Sequence, residues 1–409
     1  MGKKDPRDAA EWLRGIKAAG RASQERKEIE AIAAAWPGDL EIARLACVAL
    51  CEIVDGRSPD EPIGDDDPAP RAAAVARRAL AGAGDLADAD PNRTGPLFAA
   101  YGNALRLCGP ENDSQAIAAF DSAMALTDDP ALAFDRALLH KQRGQWRDAL
   151  AWFDRYLASD PDDEAALNNV GICATALGLG ERAAAAWRAL GFDGVSVGDD
   201  GLPRVADLEM VKLRLPVAGD PDERESDFEH VWVRSLSPCH GEILNPPMYP
   251  VPAGYSDIVL YDRAAVGWAE HDGRRVPRLP FLLLLWRGDA EVFELAADPA
   301  DIGAAETALP EGASLYRWDT EIQRICRACI DDPNHAGDHD PAPSDAPSVV
   351  RGCLVLEPGT KPPVAAQALA AHPELRVAVP DLWRAAGDEM AARRADRLRR
   401  ELLGVIPIH

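Results

Sequence analysis

The strongest constraint in this chain is a repeat. Pro130 to Asp163, PALAFDRALLHKQRGQWRDALAWFDRYLASDPDD, is 34 residues long. The next 34 residues, Glu164 to Val197, run through the same order of small, turn-forming and aromatic positions. In the first unit Ala137 falls where two helices must approach closely, Gly144 marks a turn and Trp146 opens a second helix. Ala149, Phe153 and Tyr156 follow at helical spacing, and Pro161 ends the unit. In the second unit Gly171, Gly178, Ala183 and Trp187 keep the pattern, without the closing proline. Upstream, Gly102, Gly109, Ala116, Phe120 and Ala123 hold the same register, with two extra residues in the turn PEND. A helix pair of this kind leaves one apolar face open, and stacking the pairs covers it. Several units must therefore fold together, which predicts an extended helical array.

These positions resemble the tetratricopeptide repeat (TPR) family. The resemblance covers residues 95–197, and more weakly 7–94, where Ala-rich helices are broken by the acidic, Pro-rich stretch RSPDEPIGDDDPAP. The latter reads as one or two degenerate repeats with an insertion. The family implies binding of a protein or peptide partner in a concave groove lined by first helices, which here would offer Lys141, Asn168 and Thr175. Some relatives clamp a C-terminal carboxylate with asparagines and lysines. Asn169 matches one such asparagine, and no lysine set accompanies it. An array that only supports the chain's own C-terminal half is the alternative.

After Gly191 the helical period stops. The run GFDGVSVGDDGLPRVADLE is rich in Gly and Asp, and the reading is a TPR-like domain over 1–197 followed by a linker over 198–209. Short β-branched and aromatic runs, VKLRLP, HVWVRSL, YSDIVLYD and AVGWAEH, then predict a β-rich domain over 210–287, such as a small barrel. Asp272-Gly273 between two such runs is a hairpin signal, because both central residues of the favoured turn need positive φ. FLLLLW, residues 281–286, reads as a strand buried on both faces. Over 288–409 two strand–helix–strand units in tandem predict a ferredoxin-like βαββαβ domain. A long polar helix, Asp381 to Leu403, would end the chain. Its Arg393, Arg394, Arg397, Arg399 and Arg400 suit a helix C-terminus, either solvated or facing an acidic surface. The fold class is thus multidomain, an all-α array followed by an α+β half.

Between the two strand–helix–strand units lies CRACIDDPNHAGDH. Cys326, Cys329, His335 and His339 give the spacing C-x2-C-x5-H-x3-H. Two thiolates from a CxxC knuckle and two imidazoles from a short loop form a set that tetrahedral zinc accepts. The spacing is tighter than in a DNA-reading finger, so the expectation is a zinc-knuckle-like insertion over 326–339. Four protein ligands leave no open position for water, which makes the expected zinc structural. Cys353 could replace one histidine, and Asp338 is one candidate base for a catalytic version, with nothing in the sequence to single it out. The alternative is an acidic loop carrying two thiols.

Other chemistry is weaker. Cys239-His240-Gly241 and Gly352-Cys353 are fragments of a caspase-like thiol-peptidase signature, 113 residues apart and without its surrounding motif. Adjacent residues on a strand point to opposite faces, so Cys239 and His240 alone would form no dyad. They read as a turn or a supplementary metal ligand. Gly194-Val195-Ser196-Val197-Gly198 satisfies GxSxG but lacks the strand-to-helix context of a nucleophile elbow. There is no P-loop, no HExxH and no dinucleotide fingerprint. No catalytic residue is assigned.

A formal charge of −24 repels phosphate backbones and anionic membrane surfaces, so neither nucleic acid nor membrane is the expected partner. The start MGKKDPRDAAEWL has no apolar signal core, FLLLLW is too short to span a bilayer, and eight cysteines are too sparse for a disulfide scaffold. The expectation is a cytoplasmic bacterial adaptor that binds a polypeptide through its repeats. The competing classes are an enzyme with a thiol or metal site in the C-terminal half, and a structural subunit of a larger assembly.

Overall fold

A computed structural model describes residues 5–54, 64, 66–82, 90–219, 228–271, 273–318 and 349–404. The chain forms two compact units that divide between Ala206 and Asp207.

In the first unit, ten α-helices among the described residues succeed one another: α1 (Pro6–Ala18), α2 (Arg26–Ala35), α3 (Leu40–Glu52), α4 (Pro68–Gly82), α5 (Pro91–Leu107), α6 (Asp113–Leu126), α7 (Ala131–Gln142), α8 (Trp146–Leu157), α9 (Glu164–Ala176) and α10 (Gly180–Ala189). Several of their starts are set by aspartates that receive the orphan N–H groups of the first turn. Asp39 accepts from Glu41 and Ile42, Asp90 from Asn92, and Asp163 from Ala166. The two extra residues of PEND form a short 3₁₀ turn, Pro110–Asn112.

The periodic small residues have a steric cause. A Cβ placed on Gly102 would lie 2.7 Å from the Phe120 ring, and one on Gly171 would lie 2.3 Å from the Trp187 ring. Ala137, at the equivalent position of the middle pair, is fully buried, as is Phe153. Each pair thus closes a small residue of its first helix onto a large ring of its second. Gly144 and Gly178 turn between paired helices with φ of +65° and +69°. The apolar interior forms two clusters, one running through α1 to α6 and reaching Leu139 of α7, and one through α7 to α10. Polar ties join neighbouring pairs. Arg143 donates to Asp113 at 2.9 Å and to the Arg106 carbonyl at 2.9 Å, while Arg136 reaches Asp121 and Arg182 reaches Asp154.

The expected linker is in part structured. Strands β1 (Ser196–Val197) and β2 (Pro203–Arg204) pair antiparallel and pack on α10. They belong to the first unit, and the change of unit comes at residue 207. A packing contact explains the ordering, since Gly180 at the start of α10 leaves no room for a Cβ beside the Gly201 carbonyl oxygen.

The second unit contains two sheets. Strands β3 (Val211–Pro216), β4 (Phe228–Ser237), β5 (His240–Ile243), β6 (Ile258–Tyr261), β7 (Gly267–His271) and β8 (Arg274–Trp286) form the first. β3, β4, β5, β6 and β8 close into a ring, because β8 pairs antiparallel with β6 and parallel with β3. β7 hangs on β8 as a hairpin in which His271 pairs with Arg274 and Gly273 has φ +71°. Leu213, Leu215, Val231, Val233, Ile243, Val259, Tyr261, Leu279 and Phe281 fill the ring. FLLLLW does not form a strand buried on both faces. Only Phe281 is buried, and Trp286 is 44% exposed. β8 bends through two irregularities in its pairing with β6, so its side chains do not sit between two covering layers.

The second sheet uses β9 (Glu291–Ala297), β10 (Ala313–Arg317), β11 (Val350–Leu356) and β12 (Val377–Ala378) in the order β10-β11-β9-β12, with every neighbour antiparallel. Helix α11 (Ile302–Ala308) lies between β9 and β10 in the chain, and α12 (Pro362–Ala370) between β11 and β12. Ile302, Ala365 and Ala366 share one core with Phe293, Leu295, Val350, Leu354 and Leu356. The opposite sheet face carries Tyr316, Cys353 and Glu294, which lie side by side in the register. The two sheets are joined by Tyr255, whose ring meets Tyr316 and whose hydroxyl donates to Glu357. Asp257 braces the same junction by accepting from Gly254, Gly288 and Arg287.

The single terminal helix expected over 381–403 is two helices, α13 (Pro380–Ala385) and α14 (Glu389–Leu402). Gly387, with φ +81°, ends the first, and Asp388 caps the second by accepting from Ala391. Of the arginine cluster, Arg399 pairs with Glu294 of β9, and Arg393 pairs with Glu389 one helical turn back.

Candidate functional site

The residues expected to line the groove are placed as follows. Lys141, near the end of α7, is 8% exposed, and its ammonium donates to Asn169 Oδ1 of α9 at 2.6 Å. That bond ties one repeat to the next. Thr175 is fully buried and donates to the Gly171 carbonyl of its own helix at 2.7 Å, so its hydroxyl is not presented to a groove. Asn168 is half-buried on α9. Of the three, only Asn168 keeps partial exposure, and Lys141 and Thr175 are buried. Residues 169 to 175 of α9 are all buried, and a helix buried all round carries no polar/apolar period from which to choose a face.

Cys326, Cys329, His335 and His339, with Asp338, lie outside the described residues. Among the described residues no group of three or more His, Cys, Asp or Glu side chains is arranged to hold a metal. Cys353 sits in the middle of β11, between Tyr316 of β10 and Glu294 of β9. Burial, and then the Glu294 charge, pushes its thiol up to about 12. A thiol held protonated is a poor nucleophile.

Cys239 and His240 occupy the corner between β4 and β5. Ser237 ends β4, and its hydroxyl shares a hydrogen bond with His240 Nδ1 at 2.5 Å and lies 3.7 Å from Cys239 Sγ. The same oxygen accepts from the Cys239 backbone at 3.3 Å. Across the ring, the Tyr261 hydroxyl reaches Ser235 Oγ, the Ser237 carbonyl and the His240 carbonyl at 3.2, 3.2 and 3.3 Å. Burial raises the Tyr261 phenol well above its ordinary range, which keeps it a donor. Ser237, Cys239 and His240 are fully buried and Tyr261 nearly so. The corner therefore brings Cys and His onto one serine, which strand alternation did not predict, because the chain turns there. It seals them from solvent, so the arrangement shapes the barrel end and offers no open face to a substrate. Ser237 and Tyr261 were the residues missed. Ser237 stands three positions before His240 across a Pro-containing turn, a weak signal, and Tyr261 comes from a different strand.

Ser196 of the GxSxG match lies on the two-residue strand β1, followed by a turn at 199–201. No helix follows it, so the nucleophile elbow is not formed.

The outer face of the barrel carries a second constellation. Lys212 and Arg214 alternate with the inward Leu213 and Leu215 on β3, and Lys212 is in register with Arg278 of β8 and Trp232 of β4. Arg214 is in register with His230. Lys212 Nζ lies 4.8 Å from the Trp232 ring, and the Arg214 guanidinium 4.2 Å from the Phe228 ring.

Among solved structures, the helical part of the chain is similar to MamA, at 14% identity and a TM-score of 0.32, covering 44% of this chain and 92% of that one. It is similar to PilW, titled a widely conserved type IV pilus biogenesis factor, at 18% identity and a TM-score of 0.34, covering 46% and 77%. It is also similar to Pseudomonas aeruginosa PilF, at 14% identity and a TM-score of 0.26, covering 45% and 90%. The sequence matches no protein-family model and none of the curated proteins compared with it. The chain is a helical-repeat array followed by a unit of two β-sheets.

Proposed function

We propose that this protein is a scaffold that recognises a polypeptide through a TPR-type array. The observation that carries the reading is the repeated closure of Gly102, Ala137 and Gly171 onto Phe120, Phe153 and Trp187, with glycine turns between the paired helices. Stacking of this kind creates a long surface of near-equivalent first helices, suited to an extended partner. The net charge of −24 favours a partner segment rich in Lys and Arg. The last four strands are read as a ferredoxin-like domain, supported by their antiparallel order β10-β11-β9-β12 and by helices after the first and third. Its location is read as cytoplasmic. No helix among the described residues is long and apolar enough to cross a membrane.

The test is affinity isolation of the full chain beside an Asn168→Arg variant. A stoichiometric polypeptide held by the first and lost from the second is the expected result. Equal recovery with both, or none with either, would remove the groove reading. Turnover of a substrate by the purified chain would favour an enzyme.

A structural zinc at Cys326, Cys329, His335 and His339 is part of the same proposal, supported by donor chemistry and spacing alone. About one equivalent of zinc in the purified protein, with a lower melting temperature after chelation, is expected. Less than about a tenth of an equivalent would sink it.

A further inference from the structure

From the terminal helix, we infer that Arg394, Arg397 and Arg400 of α14 form a docking surface for an acidic polypeptide segment, a run of Asp and Glu in a partner protein. The first observation is an unopposed charge. The acids of α14 are Glu389, Asp396 and Glu401, and each is already met by another arginine. Glu389 pairs with Arg393, Asp396 with Arg384 of α13, and Glu401 with Arg376. Arg399 pairs with Glu294 of β9. Arg394 and Arg397 have no side-chain partner among the described residues, and Arg400 has the Asp396 carbonyl, 3.3 Å from its Nε. All three arginines are exposed.

The second observation is geometry. Residues three apart on a helix are neighbours about 5–6 Å apart, so the three form one row about 9 Å long. The row stands on a fixed base, because Ala391, Ala392 and Ala395 bury the opposite side of α14 and Asp388 caps its start. Alternate side chains of an extended peptide are about 7 Å apart, so carboxylates on one of its faces can meet the row. Guanidiniums pair with carboxylates through two parallel N–H···O bonds. Met390, 68% exposed and one turn before Arg394, adds an apolar contact at one end.

The third observation is range. The whole chain carries −24. At physiological ionic strength a charge is felt over about 8 Å, so the row is locally positive in an acidic molecule. A short acidic segment stays within that range. A long nucleic acid or an anionic membrane surface extends beyond it and meets the acidic remainder of the chain. The inference is independent of whether the helical array binds a polypeptide, since α14 belongs to the second unit.

The experiment is fluorescence anisotropy of a labelled peptide of about ten glutamates, titrated with the full chain at about 50 mM salt. Saturable binding is expected, weakening as salt rises towards about 500 mM. The combined variant Arg394→Gln, Arg397→Gln, Arg400→Gln should weaken it about tenfold or more. Gln keeps a high helix propensity, and far-UV circular dichroism establishes that the variant is folded. Should it unfold, Arg397→Gln alone decides, with an expected loss of about twofold or more. A control, Arg77→Gln, Arg78→Gln, Arg147→Gln, changes the net charge equally at exposed positions of α4 and α8 and should leave binding within about twofold. Asn168→Arg in the array should also leave it unchanged. An oligothymidine of about ten nucleotides, and phosphatidylcholine vesicles containing about one-quarter phosphatidylglycerol, should bind more weakly than the peptide. No saturable peptide binding, an equal loss in the two combined variants, or binding of the oligonucleotide or vesicles as tight as that of the peptide overturns the inference.

Discussion

The two units of this protein are built on opposite principles. The first gains its interior by repetition, and from α5 to α10 the helix pairs set a small residue of the first helix against a ring of the second. The partners Gly171 and Trp187 lie on consecutive helices of one short segment. The second gains its interior by closure. The barrel exists only when β8 returns to pair with β3, joining Lys212 to Arg278 and Leu213 to Leu279. Local pairing tolerates a degenerate repeat, whereas closure depends on every strand in the ring. Loop-closure entropy must be overcome before the barrel contacts form, so folding of the second unit should be the slower process.

This contrast can be broken by mutation. Trp187→Ala removes a fully buried ring that faces Gly171, and a loss of about 3–5 kcal/mol is expected in urea unfolding followed by helical circular dichroism. A loss under about 1 kcal/mol would mean the repeat closure carries little of the array's stability. In the barrel, Tyr261→Phe removes one hydroxyl that serves Ser235, Ser237 and His240, at a cost of about 1–3 kcal/mol. An unchanged denaturation midpoint would show that the corner between β4 and β5 is held by packing alone.

The pH dependence separates the units further. The folded-state value of His230 is about 3, against about 6.5 unfolded. Between those values the unfolded chain binds the extra proton, so stability rises with pH there and falls as the medium is acidified. The slope from this residue is at most about 1.4 kcal/mol per pH unit. His230→Gln should flatten the acid limb of the stability profile. An identical limb in the variant would contradict the burial of His230 among Arg278, Arg214 and Lys212. The smallest effect concerns the break between α13 and α14. Gly387→Ala forces a Cβ onto φ +81° and should cost about 1–2 kcal/mol. A stabilising result would mean that the two helices can merge into one.

Much of the first unit was legible in the sequence because helical repeats write their contacts locally. Gly144 and Gly178 sit where turns need positive φ, and Gly102 and Gly171 where rings approach. The groove residues were less legible, since Thr175 and Lys141 are polar by type and buried by placement. In the second unit the runs containing β3, β4, β6, β7 and β8 were visible as strands, and Gly273 as a hairpin turn, whereas β5 was read as a turn. FLLLLW was misjudged, because a continuous apolar run gives composition without saying which layers will cover it. The terminal helix was overextended because Gly387 interrupts an otherwise continuous polar period, and its φ decides between a tolerated glycine and a stop.

By itself the sequence determined the order of elements, the repeat period and the change from helices to strands. Those depend on propensities and periods within about one turn or one strand. Only the tertiary structure decided that β3 meets β8, that Ser237 lies between Cys239 and His240, and that three cations share one outer face of the barrel. Each of these joins strands, turns or side chains whose proximity is produced by closure and register, and none is carried by any local stretch of the chain.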